Sequence, residues 1–359
     1  MEALRGLRFR HPVPVAIVSP AQARRDGLAD AARSSSLAGE RASDELLKLL
    51  ALLPAGADSR AIAGDIYSEQ VAGYYDPRRK RLALVRGAGV DDVTLAHELT
   101  HALEDQHADL QRLGSEPHAD DDRRTAEQAL VEGSATLVME RYAARWTRGV
   151  SLGDALSGVG QVTSGTPLPQ YVARSLVFPY FQGEAFVRAL LDADGGGWTL
   201  VNVAERARPP QTTAEILQPS RWLAALQPER VSLPLLAGGW RRIAASTLGA
   251  EDVAALLSPS SGAVLARRVT AGWRGGRYAL WRRGSLAATA ACATPCRARD
   301  AALLAVRVDS ARSAARLARA LRRWAGRLPA GSATAVGVRG VEVRVALAPD
   351  AALAARLTQ

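Results

Sequence analysis

An α+β protein of two units is what this sequence predicts, on three observations. A strand pair around Asp76-Pro77-Arg78-Arg79-Lys80 precedes two long helical stretches. Beyond residue 227, helices and strands alternate in an order suited to an antiparallel sheet. The 359 residues suffice for two cores at roughly 150 residues per domain. A composition of 48% hydrophobic and 23% charged residues, with 31 glycines and 18 prolines, excludes a collagen, a mucin-like stalk and wholesale disorder.

Taken in order, residues 12–18 alternate and are β-branched, hence a strand; helical periodicity then runs over 20–53 until Pro54 stops it. Residues 70–75 and 82–86 flank the Asp-Pro turn as a hairpin. Asp91 or Asp92 caps a helix over 93–113, which Gly114 ends, and 116–122 is an acidic loop. A second long helix over 125–146 places Leu130, Val131, Leu137 and Val138 on its apolar positions. Gly- and Pro-rich residues 149–169 read as a loop or lid, and 183–193 as a shorter helix before Gly195-Gly196-Gly197 and Pro209-Pro210 break the chain. Downstream, helices over 250–257 and 310–326 alternate with strands over 278–281, 303–308, 335–338 and 341–347.

Charge sets the boundary between the units, 1–226 and 227–359. The net charge is 46 − 36 = +10; residues 1–225 hold 25 basic and 29 acidic groups, and residues 226–359 hold 21 and 7, so the two parts carry −4 and +14. Arg312, Arg316, Arg319 and Arg323 recur at helical spacing opposite Leu317, Leu321 and Trp324, a basic amphipathic helix suited either to contact with an anionic surface or to a solvated face. No zinc finger, RNA-binding signature or phosphate-binding loop accompanies it, so nucleic acid is not the expected partner. No apolar run approaches the roughly 20 residues of a transmembrane helix, and the first residues lack the apolar core of a signal peptide. Two cysteines, Cys292 and Cys296, cannot make a disulfide framework or a four-thiolate metal site, and the sequence leaves open whether they pair with each other.

The chemistry concentrates in Leu95-Ala96-His97-Glu98-Leu99-Thr100-His101. Four residues apart on a helix, His97 and His101 share one face and can bind one ion; Glu98, beside the first, can act as general base on water while the metal acts as Lewis acid. With five histidines and 16 glutamates, chance produces H-E-x-x-H in roughly three of a thousand such chains. Zinc needs a third ligand. His107 stands ten residues after His97, but Glu104 occupies the place of the glycine that would end the helix in a metzincin. On an unbroken helix His107 therefore points about 120° from His101 and sits about 9 Å further along. Glu132, in Ala129-Leu130-Val131-Glu132-Gly133-Ser134-Ala135, is the favoured third ligand, because a carboxylate among apolar and small residues wants a cation; Glu127 is the fallback. Gly133 and Ala135 are expected to let this helix pack close to the histidine helix.

The zinc segment and Glu132-Gly-Ser-Ala resemble the gluzincin class of zinc metallopeptidases. A closer likeness, over about residues 65–220, is to a poorly characterised bacterial family of neutral zinc metallopeptidases: Gly73-Tyr74-Tyr75-Asp76-Pro77, Asp105-Gln106-His107 and Phe178-Pro179-Tyr180 with Gly183 carry it. The resemblance implies a zincin-like domain with long zinc-binding helices and a small upstream hairpin. It also implies Zn²⁺ as cofactor, a peptide or protein substrate, and relatives that are exported. It suggests that 70–75 or 82–86 pairs with the substrate backbone, that Tyr180 donates to the oxyanion, and that Asp105 orients a metal ligand. Gln218 departs from the family, which places a histidine before Pro219, a change that lowers activity if that histidine assists catalysis.

Overall fold

Residues 1–34, 36–69, 71–113, 120–147, 168–284 and 294–359 are described in the computed structural model. Within them, fourteen α-helices and two sheets make an α+β protein. In the smaller sheet, β1 (Val15–Val18), β2 (Gly73–Asp76) and β3 (Arg81–Val85) stand in the order β1-β3-β2, with β1 parallel and β2 antiparallel to β3. Asp76 forms the expected hairpin turn: its Oδ1 accepts from the backbone N–H groups of Arg78 and Arg79 at 3.0 Å each, and Lys80 takes φ 49°. Because β3 is central, residues 82–86 offer no free edge to a substrate; β2 has an outer edge on which no strand pairs.

The single helix expected over 20–53 is two, α2 (Pro20–Ser34) and α3 (Leu37–Leu49), which follow a short α1 (Glu2–Arg5). Ser36 starts α3 anew, its side chain accepting from the Gly39 N–H at 3.1 Å. A further helix, α4 (Ser59–Glu69), lies where the periodicity showed none; Asp58 Oδ1 accepts from Ala61 N–H at 2.9 Å in its first turn.

Asp91 caps α5 (Asp92–Ala108) through Thr94 N–H at 2.6 Å. This helix stops before the expected 113, because Asp109 adopts φ 52° and a 3₁₀ turn, Leu110–Arg112, follows. Asp120 caps α6 (Asp121–Trp146), so the helix begins inside the stretch expected to be loop. The helix expected at 183 instead begins at Gln170 and runs as α7 (Gln170–Ala193) through Pro179. It crosses α6 where Gly133 meets Gly183: a Cβ added to either would overlap backbone atoms of the other helix. Gly133 thus serves the α6–α7 contact, not the α5–α6 contact the sequence suggested. Three short helices, α8 (Thr199–Arg206), α9 (Thr213–Leu217) and α10 (Pro219–Leu223), close this layer over a core that includes Leu130, Leu137, Phe186, Leu190 and Trp222.

The antiparallel sheet expected beyond residue 227 has five strands, β4 (Trp240–Thr247), β5 (Trp273–Arg283), β6 (Asp300–Val308), β7 (Ala333–Arg339) and β8 (Glu342–Ala348), ordered β4-β5-β6-β8-β7. Central β6 buries both faces: Ala302, Leu304 and Val306 toward α11 (Ala250–Ser261), α12 (Ala263–Thr270) and α13 (Ala311–Ala325), and Ala301 and Leu303 toward α14 (Ala351–Thr358). Leu46, Leu49 and Ala214 join the first of these cores from the acidic part of the chain. Cys296 is disulfide-bonded. Cys292, and the proposed lid except its last two residues, lie outside the described residues.

Candidate metal centre

α5, α6 and α7 meet around the histidine pair. His97 and His101, both buried, point their Nε2 atoms at one spot, 3.0 Å apart, as their i, i+4 spacing requires. Glu132 reaches the same spot from α6, its Oε2 lying 3.1 Å from His97 Nε2 and 3.5 Å from His101 Nε2. Among the described residues these three form the one group of histidine, cysteine or acidic side chains placed to share an ion.

The donor set fits zinc. Bonds of about 2.0–2.1 Å at tetrahedral angles put neighbouring ligand atoms about 3.3 Å apart, and the three observed separations of 3.0, 3.1 and 3.5 Å bracket that edge length. Both Nδ1 atoms are buried without a hydrogen-bond partner. The rings are therefore oriented through helix packing and through Nε2. Without a metal the cluster must hold a proton instead. Burial alone would lower the His101 pKa, but the Glu132 carboxylate, helped by Glu98 and Glu104, outweighs it and raises His101 to about 9. Burial would likewise raise Glu132, yet its bonds to His101 and His97 keep it well below the usual carboxylate range.

Glu98 faces the hairpin. Its Oε2 accepts from the Tyr75 backbone N–H at 2.7 Å, which fixes the carboxylate against the outer edge of β2. Burial is the main cause that raises its pKa, and Glu132 adds to the rise; the two histidines and the Tyr75 hydrogen bond oppose it. Tyr180 comes from α7, and its ring centroid lies 5.9 Å from that of His97.

Other candidates are engaged elsewhere. Glu127 pairs with Arg123 at 2.8 Å, so the fallback ligand is outside the cluster. His107 donates from Nε2 to the Arg8 carbonyl at 2.8 Å, and His118 lies outside the described residues. Asp105 does not support a histidine. It accepts from the Tyr75 hydroxyl at 2.7 Å, from Lys80 Nζ at 2.9 Å and from Leu110 N–H at 2.8 Å, and so locks the hairpin onto α5. Gln218 donates to the Ala271 carbonyl at 2.8 Å. No family model, curated protein or solved structure matches this chain.

Sequence reasoning missed the layer beneath the histidines. Arg5 Nε donates to Glu104 at 2.5 Å and its NH2 group to both oxygens of Glu205 at 2.9 Å, all three side chains being fully buried. Ser134 also donates to Glu104, and the Arg5 guanidinium lies 4.3 Å over Trp198. Glu104 lies one turn after His101 on the histidine helix, and nothing in the sequence indicated its partners.

Proposed function

We propose that this chain is a zinc-dependent peptidase of the gluzincin kind, with a zincin-like arrangement of α5, α6 and the hairpin. The observation that carries the reading is the convergence of His97, His101 and Glu132 at zinc-ligand separations with Glu98 beside them. Three protein donors among the described residues leave a fourth position for a reactant, as in catalytic rather than structural zinc sites. A zinc ion bound there supplies a Lewis acid and makes water more acidic.

The chain's own groups do the rest. Tyr75 N–H holds Glu98 Oε2, so Oε1 takes the proton from water and returns it to the leaving amine. Burial raises the Glu98 pKa, which makes the carboxylate a better base than one in water. The Tyr180 hydroxyl donates to the oxygen that becomes negative as the carbonyl is attacked. A substrate backbone pairs with the part of the outer edge of β2 ahead of Tyr75, whose own N–H stays on Glu98, which favours extended peptides with weak side-chain selectivity.

The test is Glu98→Ala, with zinc content and casein or peptide hydrolysis measured on the same preparation. Expected are about one zinc per chain in both proteins and hydrolysis in the wild type alone. Activity that survives the substitution sinks the mechanism.

A further inference from the structure

The helices on the outer side of the large sheet carry an unusual surface. α12 and α13 lie side by side and antiparallel: Asp309 N–H, before α13, donates to Gly272 O, after α12, at 2.8 Å, while Arg327, after α13, donates to Pro259 O, ahead of α12, at 3.4 Å. Both bury their inner residues in one core, Ala266 and Val269 from α12 with Leu317, Leu321 and Trp324 from α13. Their outer sides therefore share one face.

That face is strongly basic, with acidic groups at its border, where Asp309 interacts with Arg316 and Glu251 with Arg267. Residues 259–271 and 310–328 contain eight arginines and no aspartate or glutamate. Arg312, Arg316, Arg319 and Arg323 are exposed, and so are Arg267 and Arg268 beside them. The hydrogen bonds these helices' arginines make are to neutral oxygens, Arg316 to Ser313 Oγ at 3.0 Å and Arg322 to the Val336 carbonyl at 3.5 Å. At the edge of the face, at the start of α12, Val264 is 75% and Leu265 43% exposed. Trp324, the aromatic residue that could stack on a nucleobase, is buried.

We infer that this face docks on a lipid bilayer bearing anionic headgroups, with the arginines on the phosphates and Val264 and Leu265 entering the boundary with the acyl chains. Charge selects an anionic partner. The exposed apolar pair selects a bilayer over a soluble polyanion, which offers nothing for Val264 and Leu265 to enter. The inference does not depend on the metal centre, which sits on α5 and α6.

Co-sedimentation of the full chain with vesicles tests it, comparing phosphatidylcholine alone with phosphatidylcholine plus phosphatidylglycerol. Binding to the mixed vesicles, falling with added salt, is expected; binding to neutral vesicles is not. The triple substitution Arg316→Glu, Arg319→Glu, Arg323→Glu should weaken partitioning by more than about a hundredfold, at about fivefold for each arginine lost. Val264→Ser with Leu265→Ser should weaken vesicle binding yet leave any binding to duplex DNA or polyphosphate unchanged. All substituted residues are exposed, and thermal melts verify that the variants fold. No binding to the mixed vesicles at low salt overturns the inference. Tighter binding to DNA or polyphosphate than to vesicles, with vesicle binding indifferent to the Val264 and Leu265 substitutions, overturns it too and assigns the face to a polyanion.

Discussion

Glu98 and His101 show how much of the site's behaviour resides in single side chains. Glu98 is held by one backbone N–H and its pKa is raised chiefly by burial, so its charge and not its packing is what the proposed reaction needs. Glu98→Gln should therefore retain zinc and lower kcat by about 10²–10⁴-fold, measured by peptide hydrolysis alongside metal analysis. Tyr180→Phe should lower kcat by about 10²–10³-fold with KM little changed, since its hydroxyl is proposed to act on charge that develops during the reaction. His101 gives a pH prediction. Its pKa of about 9 means that the metal-free protein holds a proton there below that pH, and zinc must displace it. Zinc affinity should rise about tenfold per pH unit from about pH 6 to about pH 8 in chelator competition; a flat profile contradicts this. The same shift, upward from 6.5, stabilises the metal-free fold fully below about pH 6.5, and that contribution is lost as pH rises through about 9.

Elements, not residues, bring the donors together. His97 and His101 are neighbours because both ride on α5, but Glu132 joins them because α6 is wedged between α5 and α7, and Gly133 and Gly183 set how closely α6 and α7 approach. Gly183→Ala puts a methyl group into the Ala129 carbonyl, so it should destabilise the fold by about 1–3 kcal/mol and weaken zinc binding by shifting the helix that carries Glu132. Gly56→Ala is the control: nothing lies within 4 Å of its added carbon, and its melt should match the wild type. Thermal melts and zinc titrations of both variants decide the point. The hairpin is fixed on the other side, where Asp105 gathers Tyr75, Lys80 and Leu110 and so keeps the Tyr75 N–H on Glu98.

At the scale of the whole molecule, the buried Arg5–Glu104–Glu205 cluster joins α1, α5 and α8 beneath the histidines. Two carboxylates share one guanidinium there, and burial followed by the charge of Glu104 raises the Glu205 pKa. Arg5→Met leaves both acids without their cation and should cost about 3–5 kcal/mol near neutral pH. The deficit should shrink as pH falls and Glu205, whose pKa is raised, takes up a proton; urea melts at several pH values measure both. Adding Glu104→Gln and Glu205→Gln should restore much of the loss, because a neutral cluster no longer needs the guanidinium.

Local rules were enough for much of this protein. The H-E-x-x-H spacing placed two imidazoles on one face, Asp91 or Asp92 marked the start of α5, Asp76-Pro77 marked the hairpin, and alternating helices and strands disclosed the antiparallel sheet; each depends on neighbours within a few residues. Periodicity failed where a local cap overruled it, as at Ser36 and Asp109, and at α7, which begins at Gln170 and not at the expected 183. Glu132 could be nominated from its apolar setting, but its arrival 3.1 Å from His97 depends on how α6 packs, a contact 35 residues distant along the chain. Arg5 lies farther still, 99 residues from Glu104 and 200 from Glu205. Such pairs are decided by packing alone, because no short-range preference links residues so far apart until the helices between them have been stacked.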